Sequence, residues 1–343
     1  MPISQRNTIL FAALLLAVLF FLLCDLSLGP VTIPVSEIFT SLGGGQASKP
    51  TWEYIIMNYR LPKAITAILV GMGLSVSGLL MQTLFRNPLA GPYVLGLSSG
   101  SSLGVAFVIL GAGYLPGFLG SFLVSSYGIV ITSFLGSLLV LLAVLVVAQR
   151  LRDTMAILIV GLMFGSFTSA FVGVLTYFSS AEQLQKFTFW SLGNLGNLSW
   201  LSIGILTIAV AVGLLLSLAS IKSLNALLLG ENYARSMGLR YNRARLVIIL
   251  ATSILAGSIT AFAGPIAFIG LAVPHIAKLV FQTSHHATLF YATLLFGAII
   301  MLFCDILSQF PGTDITLPIN AITSIIGAPV VIWLLVRKQN RLS

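Results

Sequence analysis

Charged residues are scarce in this sequence. They make up 7% of its 343 residues, whereas hydrophobic residues make up 58%; a soluble domain has about 25% charged residues. So few ionisable side chains leave apolar runs of about twenty residues, the length that a helix needs to cross a bilayer. A water-soluble fold is therefore excluded, and the chain is predicted to be an all-α polytopic membrane protein embedded in a lipid bilayer.

Cysteine and histidine are also rare, with two and three copies. Cys24 and Cys304 lie inside or beside apolar runs, which argues against a disulfide framework. The histidines show no Cys/His spacing typical of a metal site. We therefore expect no metal and no cofactor.

The N-terminus carries Arg6 and then an apolar run from Ile9 to Cys24, a pattern that resembles a secretory or lipoprotein signal. Phe21, Leu22 and Leu23 stand where signal processing needs small side chains. We therefore interpret this run as an uncleaved first helix.

Ten apolar runs are predicted to cross the membrane. They lie near residues 8–28, 62–84, 93–111, 118–148, 154–178, 200–219, 243–262, 268–282, 287–308 and 318–336. Gly264, Pro265, Gly270 and Pro274 interrupt the eighth run, which predicts a short or broken helix buried among its neighbours.

The basic residues set the predicted orientation. If ten helices place both termini in the cytoplasm, 13 of the 17 Lys and Arg residues lie inside, and Lys49, Arg60, Lys63 and Lys186 lie outside. Cytoplasmic loops of membrane proteins carry such an excess. Topology thus explains the formal charge of +9, and no nucleic-acid partner is needed.

A short internal echo divides the chain into two halves. Leu69-Val70-Gly71 is followed seven residues later by Gly78, and Leu255-Ala256-Gly257 is followed at the same spacing by Gly264. The echo places the second span opposite the seventh and predicts a five-plus-five repeat. Because five is an odd number, the halves would be inverted, as in many transporters.

Ionisable residues are missing from the middle of every predicted span. Ion-coupled carriers and pumps usually keep such groups at depth, so we expect energy to enter elsewhere. The longest cytoplasmic connection, residues 220–242, is predicted to form one or two short amphipathic helices broken at Gly230 and Gly238. Such a segment either lies on the anionic inner leaflet or docks on a cytoplasmic motor.

Ordered motifs along nearly the whole chain resemble one transport family. They are Arg60-Leu61-Pro62, Ser77-Gly78, Arg86-Asn87-Pro88-Leu89-Ala90-Gly91-Pro92, Leu95-Gly96, Trp190-Ser191-Leu192-Gly193, Gly264 to Leu271, Pro274-His275, Asp305 and Gly327-Ala328-Pro329. The sequence is similar to the permease subunits of ABC importers for iron–siderophore complexes, haem and vitamin B12. This resemblance implies a single permease domain over residues 1–343 in the bacterial inner membrane, with residues 220–242 as its cytoplasmic coupling segment.

The resemblance also implies partners. They are two cytoplasmic ATP-binding subunits, an extracytoplasmic substrate-binding protein and a second permease copy that completes a homodimer. The chain contains no Gly-x-x-x-x-Gly-Lys-Ser/Thr phosphate loop. We therefore expect a transport permease and not an enzyme, with ATP hydrolysed by a separate subunit.

Five residues match functional positions of that family. Arg60 and Lys63 match two basic positions that receive acidic residues of the binding protein. Asn87, Leu89 and Thr154 match the two turns that narrow the cytoplasmic mouth of the pathway. The resemblance thus implies an outer docking pair and an inner gate.

Four residues of the coupling segment are candidates for contact with the ATP-binding subunits: Gly230, Ala234, Arg235 and Gly238. The two glycines break the helices, and Ala234 is a small residue set between leucines and Arg235. We expect this segment to dock on the motor.

The sequence departs from the family pattern at four places. Lys63 and Lys278 stand where Arg is usual, Gln309 replaces a further usual Arg, and Asn320 ends a stretch that is usually Glu-x-Pro-x-Gly. The departures at Lys63, Gln309 and Asn320 predict an altered pattern of acidic residues on the docking partner, and Lys278 is a milder change.

Two other classes stay open from the residues alone. The internal echo also suits an ion-coupled secondary transporter, although the charge-free span centres oppose it. A membrane-embedded enzyme would have to use Asp305, His275, His285 and His286, which are predicted to be scattered over both faces. The sequence does not identify the substrate.

Overall fold

A computed structural model describes residues 3–111, 122–150, 154–196, 198–310, 313 and 315–339. Its regular elements are helices, numbered here in chain order. They are α1 Ile3–Ser27, α2 Val35–Leu42, α3 Pro50–Ile55, a π-helical stretch Ile56–Arg60, α4 Leu61–Leu84, a 3₁₀ turn Pro92–Leu95, α5 Leu97–Ile109, α6 Ser126–Arg150, α7 Thr154–Tyr177, α8 Ala181–Ser191, α9 Trp200–Ala219, α10 Ile221–Leu227, α11 Glu231–Ser236, α12 Tyr241–Ala263, α13 Ile269–Phe281, α14 His286–Ser308 and α15 Ile319–Gln339.

The apolar helices coincide with the ten predicted spans. Seven of them, within the described residues, are long and apolar enough to cross a membrane: Gln5–Ser27, Pro50–Leu84, Ser126–Val147, Met155–Tyr177, Trp200–Ala219, Tyr241–Ala263 and His286–Ser308. The shorter apolar helices Leu97–Ile109, Ile269–Phe281 and Ile319–Trp333 supply the other three. Residues 118–121, at the start of the predicted fourth span, lie outside the described residues. The prediction of an all-α multi-span protein is confirmed.

The predicted interruption of the eighth span is a short helix preceded by an irregular turn. α13 has 13 residues and contains Pro274, and Phe268 before it has a left-handed backbone with φ 67°. Irregular backbone at membrane depth needs hydrogen-bond partners inside the protein. Ala267 N finds one at 3.0 Å in the side-chain oxygen of Asn320. Asn320, which departs from the family pattern, therefore supplies an acceptor that a glycine side chain lacks.

The chain divides into two compact units that share α4 and α9. The first contains Met1–Val76, Asn194–Ile208 and Ala267–Ser343, and the second contains Ser77–Gly193 and Ala209–Ile266. A five-plus-five repeat matches α13, α14 and α15 of the first unit with α5, α6 and α7 of the second. Each unit therefore combines helices from both halves of the predicted repeat.

Small residues bring equivalent helix pairs together in both units. In the first, a Cβ atom on Gly71 of α4 would collide with the backbone of Gly297 in α14. In the second, a Cβ atom on Gly257 of α12 would lie 2.9 Å from Ser137 Oγ in α6. Helix backbones in membranes approach closely where side chains are small. Gly71 and Gly257 of the internal echo are therefore packing positions.

Candidate functional site

The first candidate site lies in the first unit, where α1 and α14 end and α4 begins. Asp25, Arg60, Lys63, Asp305 and Gln309 meet there, and all except Lys63 are buried. Two carboxylates share this cluster, called here the outer charge cluster, with one ammonium and one guanidinium group. Buried charges persist where they are paired and hydrogen-bonded.

Arg60 anchors the end of α1. Its side chain is only 7% exposed, and Nη1 donates to the carbonyl oxygens of Leu26 at 2.6 Å and Ser27 at 2.8 Å. Nη2 donates to the carbonyl oxygen of Val31 in the following loop. The last carbonyls of a helix have no partner within the helix and carry negative partial charge. Arg60 therefore satisfies these carbonyls and does not project freely from the rim.

Lys63 is the accessible member of the cluster. Its side chain is 20% exposed, and Nζ lies 2.9 Å from Oδ1 of the buried Asp305. Gln309 Nε2 donates to Asp25 Oδ1 at 3.1 Å and to Asp305 Oδ2 at 3.3 Å. Gln309, where the family usually has Arg, thus bridges the two carboxylates without adding charge. Within this cluster, Lys63 is the ammonium group that forms an ion pair with Asp305.

The carboxylate of Glu37 ties the loop between α2 and α3 to α2. Glu37 accepts hydrogen bonds from the Ser48 amide at 2.8 Å and from the Ser48 hydroxyl. These bonds hold the pKa of Glu37 below its ordinary value. This contact contributes to the stability of the folded protein above the ordinary pKa of glutamate. That contribution is lost as the pH falls through the lowered pKa.

The second candidate site is the turn that follows α4 in the second unit. Asn87 Oδ1 accepts from the Leu89 amide at 2.9 Å, and the Ala90 amide donates to the Asn87 carbonyl at 3.1 Å. This is the side-chain-to-backbone turn that asparagine favours. Leu89 is exposed at its tip. Thr154, the third predicted gate residue, opens α7, and its side chain lies outside the described residues.

The predicted coupling segment consists of α10 and α11 with a glycine after each. Gly230 and Gly238 have φ values of 101° and 83°, which strain other residues. Arg235 donates to Glu231 Oε1 at 2.7 and 2.9 Å. Of the one or two short helices predicted for this segment, the structure has two, and each ends before one of the two glycines.

The side chains of this segment separate into an inner and an outer set. Ala234 is fully buried, so it supports the segment from within and offers no surface to a partner. The large apolar side chains that face outward are Leu228, Leu229, Tyr233 and Met237. Exposed apolar clusters of this kind mark contact surfaces.

Sequence reasoning missed the acidic half of the outer charge cluster. Asp25 and Asp305 each stand near the end of an apolar run, which the sequence shows, but their contact with Lys63 and Gln309 joins residues far apart in the chain. In the coupling segment, the amphipathic pattern predicted exposed leucines on one side, but it did not identify Tyr233 and Met237 as members of the same exposed apolar set.

Comparison with known proteins assigns the family. The FecCD transport family matches residues 15–337, nearly the full chain. The chain belongs to the FecCD transport family. The resemblance inferred from the ordered motifs is confirmed.

Two relatives of this FecCD chain have named functions. The hemin transport system permease protein HmuU of Yersinia pestis is 34% identical over 332 residues, which cover 96% of this chain and 97% of that protein. The vitamin B12 import system permease protein BtuC of Klebsiella pneumoniae is 35% identical over 339 residues, covering 98% and 96%. Both are named permease proteins, as predicted for a transport subunit and not an enzyme.

Solved structures agree with this assignment. A metal-chelate type ABC transporter in an inward-facing conformation matches with a TM-score of 0.83 at 27% identity, over 96% of this chain and 99% of that one. PsaBC from Streptococcus pneumoniae matches with a TM-score of 0.54 at 17% identity, over 80% and 90%, and shows likeness of fold alone. The FecCD chain is a multi-pass permease of the inner-membrane ABC importer type, a class that works with ATP-binding and substrate-binding partners.

Proposed function

We propose that this FecCD chain is the transmembrane subunit of an importer that carries an iron chelate, haem or cobalamin across the bacterial inner membrane. The observation that carries the proposal is the match along almost its whole length to permeases named for hemin and for vitamin B12. The charge-free centres of the predicted spans suit a pathway driven from outside the membrane.

The proposed assembly contains two copies of this chain, two cytoplasmic ATP-binding subunits and one extracytoplasmic binding protein. Both termini of the chain face the cytoplasm, which places the outer charge cluster outside and residues 220–242 inside. ATP-driven movement of the motor subunits then opens and closes a pathway between the two permease copies.

Transport in proteoliposomes tests this function. The complete complex is reconstituted with ATP inside, and the binding protein is added outside with a ferric siderophore, haem or cobalamin. We expect uptake of one of these to require hydrolysable ATP and to survive a protonophore. If uptake is abolished by the protonophore and does not require ATP, the chain would belong to the ion-coupled secondary transporters.

We propose that Lys63 is the docking charge for an acidic residue of the binding protein and that Arg60 shapes the rim beneath it. Lys63 is the more accessible of the two predicted docking residues, whereas Arg60 is committed to three backbone carbonyls. Rim charges act mainly on the rate and orientation of encounter. Asp305 holds the Lys63 ammonium in place before the partner arrives.

Lys63→Gln should slow association with the binding protein roughly tenfold at low salt, because it removes one steering charge. The glutamine amide can still donate to Asp305, so the fold is expected to survive. Surface plasmon resonance at low and high ionic strength measures the association rate, and the difference should shrink at high salt.

Lys49→Gln is the control, because Lys49 is another basic residue predicted on the same face and lies 4.7 Å over the Trp52 ring. Equal low-salt association rates for wild type and Lys63→Gln would show that Lys63 is only a structural partner of Asp305.

We propose that Asn87, Leu89 and Thr154 form the cytoplasmic gate and that Gly230, Ala234, Arg235 and Gly238 shape the coupling segment. The rigid turn at Asn87 presents Leu89 as an exposed apolar tip. The two glycines let α10 and α11 fold back, and Ala234 allows close packing beneath them. The outward-facing apolar side chains of the coupling segment then meet the motor.

Cysteine labelling should show the loop before α3 outside and the coupling segment inside, because 13 of 17 basic residues then lie in the cytoplasm. Single cysteines replace Gln46 or Asn232, both exposed, in a Cys24→Ser/Cys304→Ala background. A membrane-impermeant maleimide added to sealed spheroplasts should label only the cysteine at position 46. Labelling of position 232 alone would reverse the orientation.

A further inference from the structure

The second unit contains a cavity of about 460 Å³ between the proposed gate and the proposed coupling segment. It is lined by Arg86 in the turn after α4, Met155 beside Thr154, Leu227 at the end of α10, Glu231 at the start of α11 and Tyr241 at the start of α12. The proposed gate turn and the proposed coupling segment therefore line the same cavity.

Arg86 reaches across this space to the coupling segment. A Cβ atom built on Gly230 would lie 3.4 Å from Arg86 Nη1, an ordinary van der Waals distance, so the guanidinium group lies beside the space that a side chain at position 230 would enter. Arg86 has a left-handed backbone with φ 47°. Its amide N–H donates a hydrogen bond to the Thr83 carbonyl oxygen at 3.2 Å, which holds Arg86 in the turn after α4. The next residue is Asn87, whose side chain closes the gate turn. One side chain thus joins the point between α10 and α11 to the residue that starts the gate.

The residues around the cavity allow Arg86 to move together with the link between α10 and α11. Glu231 lines the same cavity but bonds Arg235, and Arg235 also lies over Tyr241, with Cζ 4.7 Å from the ring centroid. These contacts brace α11 against the start of α12. The cavity provides the free volume into which the braced segment can move.

We propose that Arg86 is the positioning residue that transmits movement of the coupling segment to the gate turn. The proposal rests on the function proposed above and names the link between two of its parts. When an ATP-binding subunit displaces α10 and α11, Gly230 presses on the Arg86 guanidinium, and the turn that carries Leu89 moves with it. Gly230 is needed because its backbone conformation, with φ 101°, strains other residues.

The test separates transmission from motor docking. In proteoliposomes holding the complete complex, Arg86→Ala should keep binding-protein-stimulated ATP hydrolysis within about twofold of wild type and lower substrate transported per ATP roughly tenfold. Arg86→Lys should fall between the two, because lysine keeps the charge but lacks the planar fork. Arg243→Ala is the matched control: it removes an exposed basic residue from the start of α12 that does not line the cavity.

A second measurement follows the gate itself. Leu89→Cys in the Cys24→Ser/Cys304→Ala background should change its maleimide labelling rate between the nucleotide-free and the vanadate-trapped complex, and adding Arg86→Gln should abolish that change. Transport and ATP hydrolysis falling in parallel, or a labelling change that persists without Arg86, would overturn the proposal. If wild type neither transports nor hydrolyses ATP with its partners, the proposed function fails, and this outcome is distinct from loss of transmission.

Discussion

Leu229→Asp/Tyr233→Asp is expected to lower binding-protein-stimulated ATP hydrolysis roughly thirtyfold while the chain still inserts and folds. Leu229 and Tyr233 are 60% and 54% exposed, so the substitutions place charge on the surface without disturbing the packing beneath. Central residues of an interface that lose apolar contact and bury charge cost about 2 kcal/mol or more in binding. The measurement is ATP turnover of the reconstituted complex with and without binding protein.

Asn232→Asp is the control, since Asn232 is exposed on the same helix but lies outside the apolar set. Ala234→Asp should also abolish stimulation, but through a carboxylate placed in a fully buried position. Normal stimulation of ATP hydrolysis in Leu229→Asp/Tyr233→Asp would show that the ATP-binding subunits do not dock on this surface. A defect that depends on anionic lipid would instead favour the interpretation that the helices lie on the inner leaflet.

Removal of Lys63 is expected to cause the largest loss of stability in the outer charge cluster. Lys63→Met leaves Asp305, which is 1% exposed, without its ammonium partner. Breaking a buried pair in this way costs about 3–5 kcal/mol. The temperature at which the detergent-solubilised protein loses its size-exclusion monodispersity should fall by several degrees.

A double-variant cycle separates the pair from its surroundings. Lys63→Met/Asp305→Asn should recover part of the loss, because the uncompensated charge is gone. Lys186→Met is the control: Lys186 and Glu182 form a 2.8 Å pair on the surface, with side chains 55% and 77% exposed, and such pairs contribute about 0–1 kcal/mol. A loss no larger for Lys63→Met than for Lys186→Met would show that Asp305 is satisfied without Lys63.

The charge cluster also explains why Gln309 is tolerated where the family usually has Arg. Its amide donates to both Asp25 and Asp305, so it bridges the two carboxylates without adding charge. The pairing of Asp305 then depends on Lys63, which the sequence had assigned only to docking. One residue therefore serves an internal contact and a proposed external one.

The sequence by itself determined the class of protein, the ten spans, the broken eighth helix and the family. These properties follow from hydropathy, punctuation by Gly and Pro and local motif order, all of which depend on neighbouring residues. The turn at Asn87 was predictable for the same reason, since its bond to Leu89 spans two residues.

Only the tertiary structure decided which side chains are available. The sequence predicted Arg60 and Ala234 to be surface residues. In the structure, Arg60 donates hydrogen bonds to the carbonyl oxygens at the end of α1, and Ala234 is buried beneath the coupling segment. The meeting of Arg86 with Gly230 joins residues 144 positions apart. Such contacts arise from the packing of whole helices, and no local pattern of residue types encodes which partner a charged side chain meets.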